Sequence, residues 1–411
     1  MPFFVTGLVG LVLLHAGIAL DPAALRVPPG TSGILLLHLT VLGWITPTMM
    51  GADYQLLPVV LHQPLPRPGL ARAVLAVYVV GTALFLFAWG TGTGLGLALG
   101  GALAGLGLLG FVAHMTAALV RTRSGLGRGP VAIGLVGGLG FLSLTAVLGP
   151  WMALGLGGLV PQPFSSLRAM HAAAGLAGWL LLTVLGASYQ LLPFFAATPT
   201  TVRPRWGVWA AVLVALGALG LVAAGLGLLP AWAAGLTTWT GLSLWLWDLV
   251  ALAARGRQAR REPVTLYTLL AAVALWLGAS GGLAALAGWR GPWVLPAYVG
   301  LIVGPALLVL GQLQKILPFI AALDVSLAAR RHGAVPKTEA LFPRQRAFAI
   351  LAVLGPAYLA TVLGLAAHWP VLIRAGAALA ALAVLGHALQ QLRALRAWRR
   401  AAEPEPQPVS R

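Results

Sequence analysis

Apolar runs of about twenty residues follow one another along this chain, separated by short polar breaks. Each run is long enough, at 1.5 Å of rise per residue, to cross the ~30 Å hydrocarbon core of a bilayer. Hydrocarbon offers no partner to a backbone N–H or C=O, so such runs satisfy their own backbone as helices. Composition agrees: 59% of residues are hydrophobic and 8% are charged. The reading is an all-α polytopic membrane protein with about twelve transmembrane helices, at 3–20, 32–60, 70–90, 94–120, 130–149, 168–196, 206–228, 231–254, 264–288, 293–322, 346–366 and 370–392. These make a single transmembrane domain over residues 1–400, with a polar, disordered tail at 401–411. The opening "MPFFVTGLVGLVLL" lacks the basic region of a secretory signal and reads as the first retained helix.

The net charge of +18 raises nucleic acid as a partner, but its placement argues against one. Of the 26 Lys and Arg, only Arg26, Arg168, Arg290 and Arg374 fall beside loops that follow odd-numbered helices. The other 22 (26 minus 4) sit at the opposite ends, 14 of them in "RTRSGLGR", "RGRQARR", "ARRHGAVPK" and "RALRAWRR". Positive charge stays on the cytoplasmic side, so the expectation is an inner membrane of a bacterium or archaeon, with both termini cytoplasmic. The basic loops then meet anionic lipid rather than nucleic acid. Cysteine is absent, which removes disulfides, thiolate metal sites, iron–sulfur clusters and covalent c-type haem. Any metal or haem must be held by His, Met, Tyr or carboxylate.

One string recurs. "GADYQLLP" at 51–58, "GASYQLLP" at 186–193 and "GQLQKILP" at 311–318 share Gly-x-x-[Tyr/Gln]-[Gln/Lys]-[Leu/Ile]-Leu-Pro. They fall in the second, sixth and tenth helices, and the fourth, eighth and twelfth helices all run into arginine, at Arg121, Arg255 and Arg393. The period of four helices reads as three pseudo-symmetric four-helix repeats, 1–128, 129–262 and 263–400. Gly permits close helix approach, and Pro ends or kinks the helix near its cytoplasmic end. Tyr54 and Tyr189 read either as headgroup anchors or as part of a polar path.

Ionisable residues inside a membrane are costly and tend to face the bundle interior. His38, Asp53, His171, Asp248 and Lys315 stand out, and His15, His114 and His387 also lie within spans. His62, His332 and His368 fall at ends or in loops. His38 stands 20 residues before Pro58 and His171 stands 22 before Pro193. At 100° per residue the extra two residues turn the histidines to nearly opposite faces of equivalent helices. An interior imidazole needs partners, either a metal or haem iron or a carbonyl or hydroxyl. Lys315 reads as a snorkelling side chain or as the partner of Asp53, on a proton or ion path with Tyr54, Tyr189 and Asp248. His114, Asp248 and His387 read as interior polar caps of the fourth helices.

The strings "HLTVLGWITPTMMGADYQLLP" and "HAAAGLAGWLLLTVLGASYQLLP" resemble the helix-10 string of the haem–copper oxidase catalytic subunit I superfamily. The closest similarity is to the branch that uses only b-type haems and cytochrome c, whose string carries His-x-His, a Gly-Trp-like pair, then Gly-x-x-Tyr-x-x-x-Pro. The NnrS family of haem- and copper-containing membrane proteins is a looser comparison. The resemblance implies a b-haem with His38 as axial ligand and His171 or Tyr298 at its other face, and a respiratory redox partner. The departures are large. The helix-10 ligand positions hold Pro296 and Tyr298, the stretch 206–228 has no histidine, and a copper-ligand position of helix 6 falls on Ala173. A standard oxygen reductase, and with it copper, is therefore not expected. If the chain is an enzyme, the resemblance implies a haem-dependent oxidoreductase. The alternatives are a proton, metal-ion or haem carrier, and an assembly or structural factor of a respiratory complex.

Overall fold

The computed structural model describes residues 1–25, 30–61, 63–121, 129–195, 205–255, 261–329 and 343–401. Most of the basic loops, His62, His332 and residues 402–411 of the expected tail lie outside them. Among the described residues there is no strand. The long helices are α1 (Pro2–Leu20), α2 (Thr31–Leu61), α3 (Leu70–Thr91), α4 (Gly94–Val120), α5 (Pro130–Leu156) and α6 (Phe164–Phe195). They continue with α7 (Gly207–Gly225), α8 (Ala231–Arg255), α9 (Pro263–Leu286), α10 (Val294–Ile320), α11 (Arg344–Ala366) and α12 (Pro370–Ala401). Eleven of these are long and apolar enough to cross a membrane. The exception is α8, where Thr237, Thr238, Thr240, Ser243, Asp248 and four tryptophans dilute the hydropathy.

Local sequence explains the ends. Pro2, Pro130 and Pro263 open α1, α5 and α9, where the missing N–H costs nothing and the fixed φ suits the first turn. Proline does not end the motif helices: Pro58, Pro193 and Pro318 lie inside α2, α6 and α10. Nor does Pro150 stop α5 at 149; the helix runs on to Leu156, with the proline ring seated over Gly105 of α4.

The ladder of backbone hydrogen bonds changes register in three places. Leu39–Ile45 of α2, Ala173–Leu181 of α6 and Val299–Val303 of α10 are π-helical. A π turn holds an extra residue and frees carbonyls from the usual i−4 pairing. In α2 one such carbonyl, that of Leu42, accepts from the Tyr78 hydroxyl of α3 at 2.6 Å.

The helices close into a ring. α1 packs on α2, α3 on α4, α5 on α6, α7 on α8, α9 on α10 and α11 on α12. The joints α4–α5, α8–α9 and α12–α1 link these pairs. Small residues set the approach, as they must where lipid competes with side chains for apolar surface. A Cβ on Gly134 of α5 would sit 2.5 Å from the Cα of Gly186 in α6, and one on Gly278 of α9 would sit 2.5 Å from the Cα of Gly300 in α10. Gly7 meets Thr48 and Gly138 meets Thr183 in the same way, one pair in α1–α2 and the other in α5–α6. Val5, Val9 and Leu13 form an exposed apolar stripe on α1, while Phe4, Leu11, Leu14 and Ile18 are buried.

Candidate functional site

The three residues picked out as cofactor ligands each stand just before a π-helical segment. His38 is the last α-helical residue before the π segment of α2, and Tyr298 is the last before that of α10. His171 lies two residues before the π segment of α6. The π segment is seven residues long in α2 and nine in α6. The imidazoles of His38 and His171 lie near enough to interact electrostatically.

His38 is half-buried. Its Nδ1–H donates to the Ile34 carbonyl at 3.0 Å, which leaves Nε2 as the ring's lone-pair nitrogen. The ring lies beside Phe85 (centroids 5.2 Å apart) and Trp89 (5.7 Å) of α3. The His171 ring rests against the Thr145 carbonyl and over Gly149 of α5, and its buried Nδ1 has no hydrogen-bond partner. The Gly-Trp pairs of both motifs fall within the π segments, and the indole N–H groups of Trp44 and Trp179 are buried without partners.

Tyr298 keeps different company. It is buried beside Tyr358 and Thr361 of α11. Tyr358 in turn lies against His15 of α1, with ring centroids 5.6 Å apart. His15 donates Nδ1–H to the Leu11 carbonyl at 2.8 Å, so its Nε2 carries a lone pair that meets no partner. As a lone histidine on a helix without the motif, His15 gave no signal beyond lying in a span.

The motif tyrosines serve a second arrangement toward the other end of the helices. The Pro66 carbonyl can only accept, so His114 of α4 donates Nε2–H to it at 2.6 Å. Nδ1 of His114 then accepts from the Tyr54 hydroxyl at 3.2 Å. On α6 and α8, Tyr189 donates to Asp248 Oδ2 at 3.0 Å. The same carboxylate accepts the backbone N–H groups of Arg205 (3.1 Å) and Trp206 (3.0 Å) at the start of α7. In each case a motif tyrosine meets a polar residue two helices on, and that residue holds the backbone leading into the helix between them.

The expected Asp53–Lys315 pair is replaced. Lys315 Nζ pairs with Glu262 Oε2 at 2.7 Å, and Arg344 pairs with Glu262 Oε1 at 2.6 Å. Glu262 is buried at the N-cap of α9, where a negative charge also complements the helix dipole. One carboxylate thus joins the adjoining ends of α9 and α11 to the motif of α10. Asp53 is buried with no ion pair among the described residues. Sequence reasoning missed Glu262 because it sits in the charged stretch "RREP" beyond the apolar run.

Among the described residues no three or more His, Asp or Glu side chains gather as a metal site. No protein-family model matches the chain, and no curated protein matches it.

Proposed function

We propose that the chain is a twelve-span membrane protein of three four-helix units that holds a b-type haem between His38 and His171. The observation that carries the reading is the trio of π segments at matched places in α2, α6 and α10, each entered from His38, His171 or Tyr298. Such segments occur often at functional sites. The unit boundaries, 1–128, 129–262 and 263–400, draw support from the prolines that open α1, α5 and α9, the glycine contacts and the two tyrosine clamps.

The residues fit a haem ligand. The Ile34 carbonyl fixes the tautomer of His38, raises its basicity and leaves Nε2 as donor to iron, the arrangement common to metal-bound imidazoles. Phe85 and Trp89 limit water beside the ring. His171 is the second ligand; it lies near His38, while Tyr298 packs against Tyr358 and Thr361 of α11, which favours His171 over Tyr298. A b-type haem held there would supply one-electron exchange and, on displacement of the His171 side chain, binding of a small gas. The role is electron transfer, gas binding or a small redox reaction, in a bacterial or archaeal inner membrane with both termini cytoplasmic. The partners are lipid and a respiratory redox protein.

The test is the optical spectrum of protein purified from haem-supplemented cells. A Soret band in the wild type, lost or strongly shifted in His38→Ala and in His171→Ala but kept in His114→Ala, is the expected result. A colourless wild type would remove the haem reading. A second reading, a proton or ion carrier, is favoured by Asp53, whose carboxyl is buried beside Tyr54 without an ion pair among the described residues. In that case uptake into proteoliposomes would fail in Asp53→Asn.

A further inference from the structure

Where α12 meets α1, the ring carries an apolar groove of about 210 Å³. Its walls come from α1, including Leu8, Val9 and Leu13, and from α12, including Leu385 and Leu389, over Leu317 of α10. Val9, Leu13, Leu385 and Leu389 are exposed, so the groove opens toward lipid. Water has too few polar partners there to fill it. Along α1 the lining runs from Met1 to Leu13. At 1.5 Å per residue that is ~18 Å, close to half the ~30 Å hydrocarbon thickness and thus to the reach of one leaflet.

One polar group interrupts the apolar lining, at the arginine-rich end. Gln391 lines the groove and is 2% exposed, and its Nε2 has no hydrogen-bond partner. A buried amide donor without an acceptor is unfavourable. Just beyond it, Arg393 follows Leu389 by four residues and Arg396 follows Leu392 by four, which puts each arginine above the groove on the same helix face; both are exposed. Hydrocarbon length, an orphan amide at ester depth and guanidinium groups at headgroup depth come in the order of a lipid.

We propose that this groove binds one acyl chain of an anionic phospholipid, with Gln391 donating to its ester carbonyl and Arg393 and Arg396 meeting its phosphate. The lipid closes the seam between the last and first helices. Anionic headgroups are favoured because two positive side chains stand at one mouth.

Native mass spectrometry of the full chain tests this with phosphatidylglycerol and phosphatidylcholine of identical chains, and with oleate. Phosphatidylglycerol should be retained at about tenfold higher affinity than phosphatidylcholine, a difference of ~1.4 kcal/mol. Arg393→Ala with Arg396→Ala should bring that ratio near one. Val9→Trp, which fills the groove from its lipid side, should cut retention about tenfold. Val80→Trp, an exposed position on α3 outside the groove, should leave it unchanged. If Val9→Trp does not fold, a phosphatidylglycerol with a photoreactive acyl chain should label α1 or α12 of the wild type. Equal retention of the two phospholipids, equal competition by oleate, or labelling confined to other helices would overturn the proposal.

Discussion

Replacing Asp248 with alanine should unfasten the start of α7. The carboxylate is 4% exposed and accepts three hydrogen bonds, from Tyr189 Oη and from the amides of Arg205 and Trp206. Bonds to a charged acceptor contribute ~1.5–3 kcal/mol each in water-soluble proteins. Polar contacts in helical membrane proteins average nearer ~0.6 kcal/mol, because the unfolded chain in the membrane also finds partners. Three bonds on the lower scale give about 2 kcal/mol, and the charge adds to that, so Asp248→Ala should cost about 2–4 kcal/mol. Asp248→Asn keeps one acceptor oxygen and should cost about 1–2 kcal/mol. Tyr189→Phe should cost about 1 kcal/mol in the wild type and almost nothing after Asp248→Ala. Reversible unfolding in mixed micelles measures each corner of the cycle. Hydrogen exchange gives an independent reading, since the amides of Arg205 and Trp206 should lose protection first. If Tyr189→Phe costs the same in both backgrounds, to within ~0.3 kcal/mol, the clamp is not a coupled unit and the reasoning fails.

Tyr54→Phe, which removes a neutral bond to His114, should cost less, about 0.5–1.5 kcal/mol by the same unfolding assay. Gly134→Val should destabilise by at least ~1–3 kcal/mol, because its Cβ would meet the backbone of Gly186; Gly140→Ala meets nothing within 4 Å and should be neutral or slightly stabilising. Glu262→Gln strips Lys315 of its counter-ion and should cost about 1–3 kcal/mol, with part recovered by adding Lys315→Gln. No recovery in the double variant would mean that the two residues are not paired. Reporter fusions at the C-terminus should be active only in the cytoplasm, and a periplasmic signal would invert the topology.

Apolar run length was enough to locate eleven of the helices, because hydrocarbon leaves a chain few alternatives. The motif spacing likewise singled out α2, α6 and α10, the helices that carry the π segments. What the residues concealed was backbone register. Nothing in "LTVLGWI" or "AAGLAGWLL" separates a π turn from an α turn, since both bury the same apolar atoms. Proline misled for a related reason: Pro150 stays within α5 because Gly105 leaves room for its ring. Lys315 found Glu262 rather than Asp53 because a residue beyond an apolar run can still fold back under the bundle end. The Tyr189–Asp248 bond joins residues 59 apart, and composition says nothing of such a pairing.

The joint between α12 and α1 is made without a peptide link between them, while α4–α5 and α8–α9 are joined by chain. Covalent continuity is therefore not what holds a ring of this kind shut. A gene for such a protein can be cut between α4 and α5, and the separate products should find each other in the membrane through the same faces.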